Sequence, residues 1–268
     1  MRERRGFRPA FRGPSRNSEA RPHHSDRRAF RSADGPVILY GWHTVTAALT
    51  NPARRIRKLL LTENAARRLS EESIRSPVTP EIVRPDAIAR LLSSDAVHQG
   101  LFAEADPLPS PAVEDLAATG IVLVLDQITD PHNVGAILRT AAAFAVSAVV
   151  TTARHSPEAT GVLAKSASGA LELVPMVTVQ NLSRGLAALK EIGFMLVGLD
   201  SSGEQNLAAL PLRTPLALVL GAEGRGLRQL TRTHCDLVCR ISTHSALASL
   251  NVSNAAAVAL HWASRNAR

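Results

Sequence analysis

The sequence predicts an α/β protein whose larger part is a parallel sheet with helices on both faces. A smaller α/β unit precedes it, and an arginine-rich tail precedes both. Three observations carry this reading. From residue 37 onward, short apolar runs of strand character alternate with helical patterns. Runs such as IVLVLD (121–126) and LALVLG (216–221) are continuously apolar, which suits strands buried on both faces. Residues 1–36 have neither periodicity and are rich in Arg, Pro, Gly and Ser.

The tail holds ten arginines against Glu3, Glu19, Asp26 and Asp34, a net of +6 out of the +8 of the whole chain. It is expected to be disordered. Its arginines suit phosphate neutralisation, and Phe7, Phe11 and Phe30 interleave with them as stacking groups, the pattern of a nucleic-acid arm; a merely solubilising extension is the alternative. It has no apolar core of the secretory type, and its acidic residues argue against a mitochondrial transit peptide.

The first folded unit spans 37–106. VILY reads as a strand, Gly41 as a turn and WHTVTAALTN as an amphipathic helix. RKLLLTE is a second strand, NAARRLSEES a second helix, 78–83 a short extended stretch, PDAIARLLSS a helix and GLFAEAD a strand. Residues 107–119 form a linker, marked by three prolines in DPLPSPAVEDL. The second unit, 120–268, runs GIVLVLDQI (strand), DPHNVGAILRTAAAFA (turn and helix), SAVVTT (strand), GVLAKSASGA (helix), ELVPMVTV (strand), NLSRGLAALKEI (helix), GFMLVGLD (strand), TPLALVLG (strand), a glycine loop, LVCRIS (strand) and a last helix ending in AAAVAL.

Several classes are excluded. No stretch of about 18 apolar residues offers a membrane span. Cys235 and Cys239 lack a matching Cys/His set and read as core thiols, in keeping with a reducing compartment. No Ser–His–Asp set, metal-ligand spacing or carboxylate pair stands out, and no metal is expected.

Three stretches depart from a plain α/β core, each at the C-terminal end of a predicted strand, where such sheets bind ligands. In DQITDPHNVGAILRTAA, Pro131 sets a turn, Asn133 is placed to cap the helix, and Arg139 in the second turn leans back toward that end; a surface arginine lying along its helix is the alternative. In LVLGAEGRGL, Gly221, Gly224 and Gly226 permit positive φ and close approach of a ligand, or form a tight turn; the spacing is neither GxGxxG nor a phosphate-binding GK[ST] loop. In RISTHSALASLNVSNAAAVAL, Ser249, Asn251, Ser253 and Asn254 crowd the start of a small-residue helix. Capping explains one or two of them and a lined pocket the rest.

In that order, DPHNVGAILRTA, LVLGAEGRGL and SLNVSNAA resemble motifs one to three of the SPOUT superfamily, and within it the TrmH/RlmB-type RNA ribose 2′-O-methyltransferases. YGWHTVTAAL and AVHQGLFAEA resemble the start and end of the small L30e-like RNA-binding domain of the RlmB-type members. The resemblance implies a C-terminal α/β-knot, a deep trefoil that forms the S-adenosylmethionine pocket. Leu220, Gly221, Ile241 and Leu250 would contact that cofactor. Arg139 would be the central catalytic residue, with Asn133, Glu223, Ser249 and Asn251 shaping the site around it. It also implies methylation of a ribose in RNA, a guanosine of 23S ribosomal RNA, in the cytoplasm, by a homodimer joined through the knotted domain. A transfer-RNA substrate and a non-catalytic assembly factor are the alternatives. Motif three departs from the family in having Ser242 where a proline usually follows Ile241, which loosens the loop without removing a proton-handling group.

Overall fold

A computed structural model describes residues 35–154, 161–244 and 250–267. The expectations for the tail and for Ser249 lie outside the described residues. The first sheet is built from β1 (Val37–Tyr40), β2 (Ile56–Leu61), β3 (Glu81–Ile82) and β4 (Leu101–Ala105), with α1 (Trp42–Thr50), α2 (Glu63–Glu71) and α3 (Pro85–Ala89) between them. The strand order is β1-β4-β2-β3, with β4 antiparallel to both β1 and β2, and β2 parallel to β3. Thr62 caps α2 by accepting the Ala65 N–H, and the Arg68 guanidinium lies 3.7 Å from the ring centre of buried Trp42. The helix expected over 85–94 stops at Ala89: it buries only Ile88, while beyond it Leu91 stays half exposed and Leu92 only partly buried.

The second sheet follows in the chain as β5 (Ile121–Asp126), α4 (Pro131–Ala143), β6 (Ala148–Thr152), α5 (Gly161–Ala167), β7 (Met176–Val179), α6 (Leu182–Glu191), β8 (Met195–Leu199), β9 (Gln205–Asn206), β10 (Leu216–Gly221), α7 (Gln229–His234), β11 (Leu237–Arg240) and α8 (Val252–Asn266). Its seven strands lie in the order β7-β6-β5-β10-β8-β11-β9, with every pairing parallel. Both faces are apolar, as the unbroken runs predicted. Leu123, Leu125 and Leu218 face α4, α5 and α8, while Val122, Val124 and Val219 face α6. β9 and α7 carry no apolar periodicity. Gln205 and Asn206 form a polar edge strand, and α7 buries only Thr231 while Leu230 faces outward. Cys239 lies in the core and Cys235 beside it; burial pushes their thiols up to about 11 and about 12, as inert core groups.

The two sheets meet across a polar seam, and all described residues belong to one compact unit. Thr44 Oγ1 on α1 donates to the Ala164 carbonyl on α5 at 3.1 Å. Beside it, Arg54 Nη2 donates to Glu172 Oε1 at 2.6 Å, and Arg54 Nε reaches both carboxylate oxygens at 3.1 Å. Asn51 Nδ2 donates to Glu172 Oε2 at 2.7 Å, and Arg54 Nη1 donates to the Asp106 carbonyl at 2.8 Å. The two charged side chains are only 4% and 3% exposed, so they are desolvated and each depends on the other.

Glu172→Ala leaves Arg54 buried without its counter-charge and is expected to cost about 3–5 kcal/mol. Arg90→Ala, which breaks an exposed pair with Asp86, should stay within about 1 kcal/mol. Urea unfolding of the two variants checks the contrast; equal midpoints would show that the seam pair contributes no more than a surface pair.

Candidate active site

Parallel strands end on one edge, so the C-terminal ends of β8, β10 and β11 open together onto a cavity of about 550 Å³. Leu220 and Gly221 close β10, Ile241 follows β11, and Leu250 precedes α8; all four line this cavity. Asp200, Glu223, Arg225 and Arg232 add charge to a lining of apolar, small polar and backbone groups.

The glycine loop is a closed hairpin. Ala222 and Gly226 form a β-bridge, with the Gly226 N–H donating to the Ala222 carbonyl at 2.9 Å. Gly224 and Gly226 take positive φ of 73° and 65°, the conformational freedom expected of them. Gly221 is needed for a different reason: a Cβ there would lie 2.2 Å from the Gly226 carbonyl carbon.

Glu223, at the tip of this loop, gathers the polar residues of the other two motifs. Its Oε1 accepts from Asn251 Nδ2 at 2.7 Å, Asn133 Nδ2 at 3.2 Å and the Val252 N–H at 3.2 Å. Asn251 Nδ2 also donates to Asn133 Oδ1 at 3.0 Å. The carboxylate therefore sits on the N-terminal turn of α8, where the free N–H groups favour negative charge. Asn251 is the N-cap of α8, accepting the Ser253 N–H at 2.9 Å, while Ser253 Oγ donates to the same oxygen at 2.6 Å. Capping and the Glu223 cluster thus account for Asn251 and Ser253.

One expectation about motif one is corrected. Asn133 does not cap α4: Asp130 does, accepting the His132 N–H at 2.9 Å, because Pro131 occupies the first helical position and places the cap one residue earlier. Asn133 is thereby freed inside the first turn to meet Glu223. Arg139 makes no hydrogen bond to Asn133 or Glu223. Six residues further on, it lies about 9 Å along the axis and a third of a turn around it. It is exposed, with no hydrogen bond or ion pair to any described residue.

Sequence reasoning missed a pair of carboxylates. Asp126 ends β5 and Asp200 follows β8, on either side of β10. Fully buried Asp126 accepts from Arg228 Nε at 2.6 Å and from the Arg228 N–H at 3.2 Å. Asp200 Oδ2 accepts the Leu227 N–H at 3.0 Å and pairs with Arg232 at 3.0 Å, while its Oδ1 accepts from Ser202 N–H and Oγ. Burial pushes the Asp200 carboxyl up, but the Ser202 and Leu227 hydrogen bonds and the Arg232 charge outweigh it and hold it below its ordinary value. The signal was present in LVLD and VGLD, two wholly apolar strands each closed by an aspartate. Ser242, the departure in motif three, accepts from Asn206 Nδ2 at 2.6 Å, so a side-chain bond to the edge strand restrains the loop where a proline would have. No group of three or more His, Cys, Asp or Glu positioned for a metal occurs among the described residues.

The comparisons with known proteins are consistent along the chain. Residues 120–261 match the SpoU rRNA methylase family, and residues 38–111 match the family of RNA 2′-O ribose methyltransferase substrate-binding domains. The 23S rRNA (guanosine-2′-O-)-methyltransferase RlmB of Pseudomonas putida is 36% identical over 85% of this chain and 95% of its own. RlmB of Ralstonia nicotianae is 38% identical over the same shares. Among solved structures, the SpoU methyltransferase AviRb from Streptomyces viridochromogenes in complex with AdoMet superposes with a TM-score of 0.72 at 25% identity, covering 86% of this chain and 90% of that one. An RNA methyltransferase of the TrmH family from Porphyromonas gingivalis gives 0.72 at 27%, covering 85% and 89%.

Glu223→Ala removes the acceptor shared by three donors and should loosen the first turn of α8. Amide exchange at Val252 is expected to rise about tenfold, with overall stability lowered by about 1–2 kcal/mol. Unchanged Val252 protection by NMR would show that Asn251 capping alone holds that turn.

Proposed function

This chain belongs to the SpoU rRNA methylase family, and from that premise we propose that it transfers a methyl group from S-adenosylmethionine to a ribose 2′-OH of RNA, a guanosine in 23S ribosomal RNA. One observation supports this above the others: the cavity bounded by the glycine loop is flanked by the Asn133–Glu223–Asn251 cluster, so a ligand site and a polar reaction site adjoin. The relatives named for 23S rRNA guanosine match over both parts of the chain, including the substrate-binding part.

The lining fits the cofactor chemically. Leu199, Leu220 and Leu250 offer apolar surface to an adenine, backbone groups of the loop offer hydrogen bonds, and Glu223 offers negative charge to a sulfonium. When bound, S-adenosylmethionine supplies a methyl group on cationic sulfur, ready for attack by oxygen. The chain's own work is positioning and proton handling. Glu223 fixes the angle between Asn133 and Asn251, giving the ribose a preset pair of amides. An arginine is a fixed cation and a poor proton acceptor. In this reading Arg139 binds the RNA phosphate and stabilises the 2′-oxygen as it loses its proton, and its exposed, uncommitted guanidinium is available for both. Ser249 belongs to the same site by its motif position.

The rest of the reading follows. The trefoil knot is part of it, as are RNA contacts by the arginine tail and a working place in the cytoplasm, where ribosomal RNA is modified. No helix among the described residues is long and apolar enough to cross a membrane. A homodimer through the second unit is supported by Val258, 44% exposed on the outer face of α8 beside exposed Asn254 and His261.

Titration of the purified protein with S-adenosylmethionine should show saturable binding, and mapping of 2′-O-methyl groups in cells lacking the gene should show loss at a 23S rRNA guanosine. Loss in transfer RNA instead would move the substrate, and no cofactor binding would leave a non-catalytic RNA-binding protein. Arg139→Ala is expected to lower methyl transfer at least a hundredfold while cofactor affinity stays within a few-fold; near-normal turnover would remove Arg139 from the reaction. Val258→Glu should convert the dimer to a monomer in sedimentation velocity, and an unchanged profile would place the interface elsewhere.

A further inference from the structure

We propose that Asp200 is the positioning residue that preforms the cofactor cavity, clamping two of its walls together; this rests on the S-adenosylmethionine reading of that cavity. Residues 199–202 form one wall and residues 220–227 another, and they come from different strands. Asp200 bonds to both. Its Oδ1 shapes its own wall by accepting the Ser202 N–H at 2.9 Å and Ser202 Oγ at 2.7 Å. Its Oδ2 crosses to the glycine loop, accepting the Leu227 N–H at 3.0 Å, and pairs with Arg232 of α7 at 3.0 Å. Its main chain fixes the base: the Asp200 N–H donates to the Cys239 carbonyl at 2.9 Å, joining β11, whose extension carries Ile241.

The contact leaves no room for a side chain between the walls. A Cβ on Gly226 would lie 2.5 Å from Asp200 Oδ2, so the glycine that takes a φ of 65° also lets the carboxylate reach the loop. Leu227, whose N–H is held, is itself buried below the loop. Asp126 holds the next residue, Arg228, from the opposite side of β10, but neither of these two lines the cavity. The division of labour follows: Asp126 anchors the base of the loop, and Asp200 sets the width of the cavity. A loop already held in its binding conformation does not draw its ordering free energy from the ligand.

Calorimetric titration of the full-length protein with S-adenosylmethionine, with steady-state methylation of an RNA substrate, tests this. Asp200→Ala should weaken cofactor affinity and raise the cofactor KM about tenfold or more, since two walls lose a charged acceptor. The kcat at saturating cofactor should stay within about threefold, and the RNA KM should not change. Asp200→Asn keeps one acceptor oxygen and should recover part of the affinity; it also serves if the alanine variant fails to fold. Wild-type affinity in both variants overturns the clamp. So does a parallel loss in kcat and both KM values, the pattern of general destabilisation. A wild-type protein that itself binds no S-adenosylmethionine overturns the cofactor reading beneath it, a separate result.

Discussion

A single carboxylate oxygen, Glu223 Oε1, ties together three parts of the chain that lie far apart in sequence. Asn133 is 90 residues upstream, and Asn251 is 28 residues downstream. Each of the three residues comes from a different motif, and none has chemical meaning alone. The carboxylate meets both amides and the Val252 N–H on the positive end of α8, where the free N–H groups favour negative charge. Moving that oxygen would free the first turn of the last helix and separate the amides together.

What places Glu223 there is the parallel sheet. Parallel strands deliver their following loops to one edge, and β10 lies between β5 and β8. Its loop is therefore flanked by two strand ends, and both carry an aspartate turned toward it. Desolvating two carboxylates is costly unless every lone pair finds a donor. Here backbone N–H groups of consecutive residues, Leu227 and Arg228, and two arginines provide them. The cost of burying the charges is thus converted into a fixed loop shape. The Arg54–Glu172 fork does the same at the seam, with charged groups that are stable only while both sheets are in place.

Much of this was legible beforehand, for identifiable reasons. Continuous apolar runs fixed the strands of the large sheet, because burial on both faces removes the need for alternation. Leu220, Gly221, Ile241, Leu250 and Asn251 were grouped by the resemblance of three motifs rather than by the strand pattern, and the first four of them line one cavity. Elements with no apolar face, β9 and the α7 segment, left no trace in the pattern, and α3 was read too long because the segment beyond it offers the core only a partly buried Leu92. Asn133 was misread as a cap since Asn is a good cap in isolation, whereas Pro131 had already assigned that task to Asp130.

By itself, then, the sequence determined which apolar segments are strands, which of their ends carry polar groups, and where glycine is required, since these follow from local sterics and burial. It could not determine who meets whom. That Asp200 grips the loop from β8, that Glu223 rather than Arg139 joins Asn133, and that Glu172 completes Arg54 across 118 residues were decided by tertiary structure. The physical reason is common to all three. A buried or shared charge has no preferred partner along the chain; it takes whichever donor the packed sheets bring within about 3 Å.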